Sequence, residues 1–212
     1  MNLIARLFVV GISLLLASPA EAHHMTGGRL PATQFEGLMS GLAHPIIGLD
    51  HLLALVAIGM LCAWFARGRL LAAIFALSGL LGTGLHLMRV TIPAGELIVA
   101  VTVVVFGILV VAQSRRRAEG ASIPAWLMPL IAAGGVFHGY AYGESIVGAQ
   151  RGPLVAYLIG FTIIQLATLL FVRYLTDRVS TRSQAAGGRL PALLGGTVSL
   201  AGTVLVVFVL RR

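Results

Sequence analysis

Six histidines are spread through the 212 residues, at positions 23, 24, 44, 51, 86 and 138. Four of them, His44, His51, His86 and His138, lie in or at the edge of long apolar stretches, as do Asp50 and Glu144. Imidazole and carboxylate without thiolate form a borderline-to-hard donor set that suits Ni2+, Co2+ or Zn2+ and disfavours Cu+. Cys62 is the one cysteine, which excludes a disulfide framework and any CxxC metal or redox pair, because each needs two thiols. An ionisable group deep in an apolar run costs about 3 kcal/mol on insertion scales, so it marks a functional site and faces the interior of a bundle. The chemistry on offer is reversible coordination of a divalent cation. Ligation needs neutral imidazole, so protons compete with the ion below about pH 6.5.

Spacing limits which of these groups can share an ion. His44 and His51 in the run His44-Pro45-Ile46-Ile47-Gly48-Leu49-Asp50-His51 are nearly eclipsed on a straight helix but about 10.5 Å apart along its axis. That is too far for joint ligation of one metal. Pro45 suits a first helical position and Gly48 permits a break, so either the chain is distorted there or His44 forms an outer layer above Asp50 and His51. Those two neighbours sit about 100° apart around the axis; one can ligate while the other orients it. Further on, Gly135, Gly139 and Gly143 recur every four residues and make a smooth face for a neighbouring helix, with His138 and Tyr142 one turn apart on an adjoining face. Gln165 is the obvious polar step deeper in, and its simplest role is an interhelical hydrogen bond.

The elements that must position these groups are set by the solvent. Of the residues 58% are hydrophobic and only 10% charged, against about 25% charged in a soluble domain, so most of the surface must face lipid and soluble enzyme classes are excluded. All fifteen basic residues are arginine, giving a net charge of +8, but they punctuate apolar runs instead of forming a basic face, which argues against nucleic acid. Residues 1–22 read as a signal peptide, with Arg6, a short apolar core and Ser18-Pro19-Ala20-Glu21-Ala22 as the cleavage site. Cleavage would leave an α-amine on His23 beside His24, a weak site for a divalent ion. Residues 23–212 then form a single domain of six transmembrane helices near 46–66, 70–90, 94–113, 124–145, 153–175 and 190–210, each about 20 residues long. An open sheet would leave backbone groups unsatisfied in lipid, so the expected fold is an all-α membrane bundle.

Arginine placement orients it. With His23 outside, Arg67, Arg69, Arg115, Arg116, Arg117, Arg173, Arg178, Arg182 and Arg189 face the cytoplasm, and Arg29, Arg89, Arg151, Arg211 and Arg212 face outward, as the positive-inside rule requires. This topology brings His44, Asp50, His51, His86, His138 and Glu144 to one depth in the outer third of the membrane, and His86 joins the set from depth alone.

His44-Pro45-x-x-Gly48-x-Asp50-His51, with Leu52, Leu53 and Gly59, resembles the first-helix signature of the HupE/UreJ proteins, membrane carriers of nickel or cobalt associated with hydrogenase and urease maturation. Phe137-His138-Gly139-Tyr140-Ala141-Tyr142-Gly143-Glu144 is similar to that family's second motif, with Tyr142 where the pattern carries a second histidine. The resemblance spans essentially the whole mature chain. It implies that His44, Asp50, His51, His138 and Glu144 serve an ion path through an inner-membrane permease whose cargo is Ni2+ or Co2+, with Zn2+ also fitting the donors. No permanently bound cofactor is expected. The competing readings are a b-type haem subunit with histidines from separate helices, an intramembrane metallopeptidase, which lacks HExxH, and a passive membrane scaffold.

Overall fold

The computed structural model describes residues 29–116, 120–185 and 189–212, without side chains for 180–185. The expected signal segment, residues 1–22, and His23 and His24 lie outside the described residues. Seven helices form among the described residues: α1 (Gln34–Ile47), α2 (Leu49–Trp64), α3 (Gly68–Leu87), α4 (Gly95–Arg116), α5 (Leu127–Glu144), α6 (Arg151–Ala185) and α7 (Leu190–Leu210). Four of them, α3, α4, α6 and α7, are long and apolar enough to cross a membrane, and α1 with α2 makes a fifth span if the bent pair is counted as one. The chain is a multi-pass, all-helical membrane protein with four to five such spans by length and composition. The fourth expected span, near 124–145, corresponds to α5, which falls short because its eighteen residues include four glycines, His138 and Glu144.

The first span departs most from expectation. Its helix starts at Gln34, not near residue 46. The Thr33 hydroxyl accepts a hydrogen bond from the Glu36 amide at 3.1 Å, and the Glu36 carboxylate accepts from the Thr33 and Ala32 amides at 3.2 and 2.7 Å, a capping box that satisfies the orphan donors of a helix start. Pro45 therefore stands in the last turn of α1 rather than the first, where it withholds the N–H that would bond the carbonyl four residues back. Gly48 then adopts an extended conformation, φ −67° and ψ 107°, and α2 leaves at 74° to α1.

Three helix couples surround α2: α1 lies on α6, α3 on α5, and α4 on α7. Close approach needs glycine at the contacts. A Cβ on Gly41 would run into the Tyr157 carbonyl, and one on Gly139 into the Gly79 carbonyl. The Thr83 hydroxyl lies 3.1 Å from the Gly79 carbonyl and 2.8 Å from that of Gly139 and so ties α3 to α5. In the middle, α2 is buried on nearly every face through Ala54, Leu55, Ala57, Ile58, Met60, Leu61 and Trp64, as an evenly apolar helix must be when surrounded by protein. Gly41 beside Tyr157 and Cys62 beside Arg173, whose Nε donates to the Cys62 carbonyl at 3.3 Å, show that α1 and α2 run in the same direction as α6. The broken span thus delivers its kink, with His44 on one side and His51 on the other, against the C-terminal half of α5 and the N-terminal part of α6.

Candidate metal centre

The break at Gly48 resolves the spacing conflict. Instead of lying a turn and more apart along one axis, the His44 and His51 rings approach with centroids 5.8 Å apart, and both side chains are buried. From α5, His138 meets His51 directly: the two Nδ1 atoms are 2.9 Å apart. On its other edge His138 Nε2 lies 2.9 Å from the Thr102 hydroxyl of α4, and that hydroxyl donates to the Val99 carbonyl at 2.7 Å. A hydroxyl has one proton to give. With it committed to Val99, Thr102 accepts from His138 Nε2–H, His138 Nδ1 becomes an acceptor, and His51 Nδ1–H donates to it. The network thereby assigns both tautomers and makes Nε2 the lone-pair nitrogen of His51. That nitrogen stands 3.9 Å from Asp50 Oδ1, while the same oxygen accepts from the His51 amide at 2.9 Å. A lone pair facing a carboxylate is repulsive until a proton or a metal ion lies between them.

His44 is held from the opposite side. Its Nδ1 is 3.0 Å from Ser145 Oγ and 3.1 Å from the Tyr157 hydroxyl, and both hydroxyls donate to the Tyr142 carbonyl, at 3.0 and 3.1 Å. In that arrangement His44 Nδ1–H is the donor and the ring's lone pair is again on Nε2. Tyr142 closes the pocket between the histidines, its ring centroid 4.1 Å from His51 and 5.1 Å from His44.

The structure therefore gathers His44, Asp50, His51 and His138. It sets two other candidates apart. His86 packs its ring on Tyr140 at 4.4 Å; Tyr140 is two residues from His138, about 200° around α5, so equal depth places His86 on the opposite flank. Glu144 is exposed at the end of α5. Among the described residues no three His, Cys, Asp or Glu side chains stand arranged around a single ion position. Thr102, Ser145 and Tyr157, which set the histidine orientations, were not anticipated: their own helices carry no local pattern that marks them.

The HupE / UreJ protein family matches residues 11–205. The chain belongs to that family. It is also 28% identical over 200 residues to Protein HupE of Rhizobium leguminosarum bv. viciae, covering 91% of this chain and 93% of the relative. No solved structure matches the chain. The HupE/UreJ resemblance drawn from the two motifs is thus confirmed at family level, and both motifs contribute to the buried cluster of this HupE/UreJ chain.

Gly48 is the most exposed to test. A Cβ there would come within 2.6 Å of His51 Cδ2 and 3.3 Å of Asp50 Oδ1, although its backbone angles suit any residue. Gly48→Ala is expected to push the His51 ring off its rotamer at a strain of about 1 kcal/mol, weakening divalent-ion binding to the purified protein by roughly fivefold. Isothermal titration of nickel into both proteins checks this; identical affinities would remove the glycine from the site's design.

Proposed function

We propose that this chain is an inner-membrane permease for a divalent transition metal, Ni2+ or Co2+, which enters from the periplasmic side. The observation that carries the reading is the buried sequence of hydrogen bonds from Val99 through Thr102 and His138 to His51, which leaves His51 Nε2 facing Asp50. A ligating histidine whose other nitrogen donates to a fixed acceptor is the usual arrangement of a metal-binding imidazole. His51 Nε2 and Asp50 would take the ion first, and His44 would join from across the break. The Asp50 charge offsets part of the cost of dehydrating a dication, and His138 acts here through His51 before any direct contact with the ion.

The HupE/UreJ family is linked to nickel and cobalt uptake, and its members are transport or accessory proteins. His23 and His24 would capture the ion outside, and hydrogenase or urease maturation proteins would receive it inside. A haem between the two central histidines does not fit the geometry, since rings in direct hydrogen bond at 2.9 Å leave no space for a macrocycle.

The test is accumulation of radioactive nickel in bacteria lacking their own nickel carriers, with and without the chain. Uptake above the empty control, competed by unlabelled cobalt, is expected. Uptake equal to the control for both metals would sink the proposal.

A further inference from the structure

Three side chains hold buried polar atoms with no hydrogen-bond partner among the described residues: His86 through Nδ1, Tyr142 at the edge of the histidine cluster, and Gln165 beyond it. The Tyr142 hydroxyl and both the Oε1 and Nε2 atoms of Gln165 are fully buried and have no hydrogen-bond partner among the described residues. The interhelical bond expected of Gln165 is not made. Natural interiors pair nearly all such atoms, and an orphan of this kind points to a water or an ion that visits it.

The placement of Tyr142 and Gln165 gives these two orphans a common sense. Phe161 of α6 meets the Tyr142 ring edge-on at 4.8 Å. Gln165 follows one turn later on the same face of α6. The tip of the Phe161 ring and the Gln165 amide both border the bare backbone of Gly79 in α3: a Cβ built there would lie 3.4 Å from Phe161 Cζ and 3.6 and 3.7 Å from Gln165 Nε2 and Oε1. From His51 the sequence of contacts therefore runs to Tyr142, then Phe161, then Gln165, away from the Gly48 break and toward the far end of α6.

Resting on the permease reading, we infer that Gln165 forms an inner station for a divalent cation that still carries water, reached from the Tyr142 hydroxyl at the edge of the histidine pocket past the apolar Phe161 ring. A neutral phenol is a poor direct ligand at neutral pH, but its oxygen and the amide oxygen accept hydrogen bonds from water polarised by a cation, and the amide N–H groups donate to water beyond. Such a station binds weakly enough to release, as conduction requires. It is distinct from the histidine cluster in donor type, oxygen and amide in place of imidazole, and in its distance along α6.

The test separates binding from passage. Full-length protein is reconstituted in liposomes for nickel uptake, and the same preparation in detergent is used for equilibrium nickel binding and thermal melting. Gln165→Leu removes the orphan without a large change in volume. Its uptake is expected to fall by about tenfold or more, the loss of one hydrogen bond to a charged species. Its nickel affinity should stay within about twofold of the parent and its melting temperature should not fall, because no bond is lost at rest. Tyr142→Phe keeps the ring packing and is expected to slow uptake in the same direction. Normal uptake in Gln165→Leu overturns the inference alone. A lowered melting temperature with weakened binding also overturns it, by making Gln165 a structural partner. A parent protein that binds no nickel overturns the permease reading and this station together.

Discussion

Nickel accumulation in cells expressing His51→Ala is expected to drop to that of cells lacking the chain. Three losses coincide at this one side chain. The nitrogen facing Asp50 at 3.9 Å disappears, and with it the only imidazole among the described residues that meets both the carboxylate and a second histidine. His138 Nδ1 loses its 2.9 Å donor inside a buried site, which costs about 1–3 kcal/mol of unsatisfied polar burial. The Tyr142 ring loses its 4.1 Å neighbour, so the cavity lets Tyr142 or His138 relax into the space. Immunodetection in the membrane fraction must show the variant at parental levels, and His51→Gln, which keeps bulk and polarity but not the imidazole, should fail equally. Uptake by either variant at the parental rate would show that the cluster does not lie on the ion's route.

The contrast between residues that could be found in advance and those that could not is physical. The distortion near Gly48 was half legible: two histidines seven apart cannot share an ion on a straight helix, and a proline and a glycine stand between them, but the same spacing equally allowed His44 an outer layer of its own. The true start of α1 was equally written, in Thr33 and Glu36 at capping-box spacing, but a search for apolar runs passes over a segment that opens with Gln34 and Glu36. This displaced the expected span by about three turns and put Pro45 at the wrong end of a helix. His86 illustrates a different limit. Depth is one coordinate of three, and the angle around the helix, which sends His138 toward His51 but Tyr140 toward His86, has to be known for both partners. Thr102, Ser145 and Tyr157 lie beyond local reading altogether. Each is an ordinary polar residue in an apolar span, and only the register between helices reveals that one of them ends a hydrogen-bond sequence two helices away. Membrane helices commonly satisfy such hydroxyls with their own carbonyls, as Thr162 and Thr176 do here.

Thr102 deserves its own test because it touches no ion in this scheme and yet governs the nitrogen that would. Thr102→Val keeps shape and volume and deletes the oxygen. His138 Nε2–H then points into apolar surroundings, and the cheaper state moves its proton to Nδ1, where it faces His51 Nδ1. To keep a bond at 2.9 Å, His51 must accept there and carry its own proton on Nε2, the nitrogen turned to Asp50. The metal-facing lone pair is thus occupied by a proton as a consequence of a change two side chains away. Disturbing an outer partner of a ligating histidine typically weakens metal binding by about 10–100-fold, and the same loss is expected in nickel dialysis of the purified variant. Thr102→Ser restores the hydroxyl without the methyl and should recover most of the affinity, which a role in packing alone would not permit. If Thr102→Val binds nickel as tightly as the parent, the proton order from Val99 to His51 is not the one that prepares the site. His51 would then have to present a different nitrogen to the ion, and Asp50, 3.9 Å from Nε2, would lose its place as the partner ligand.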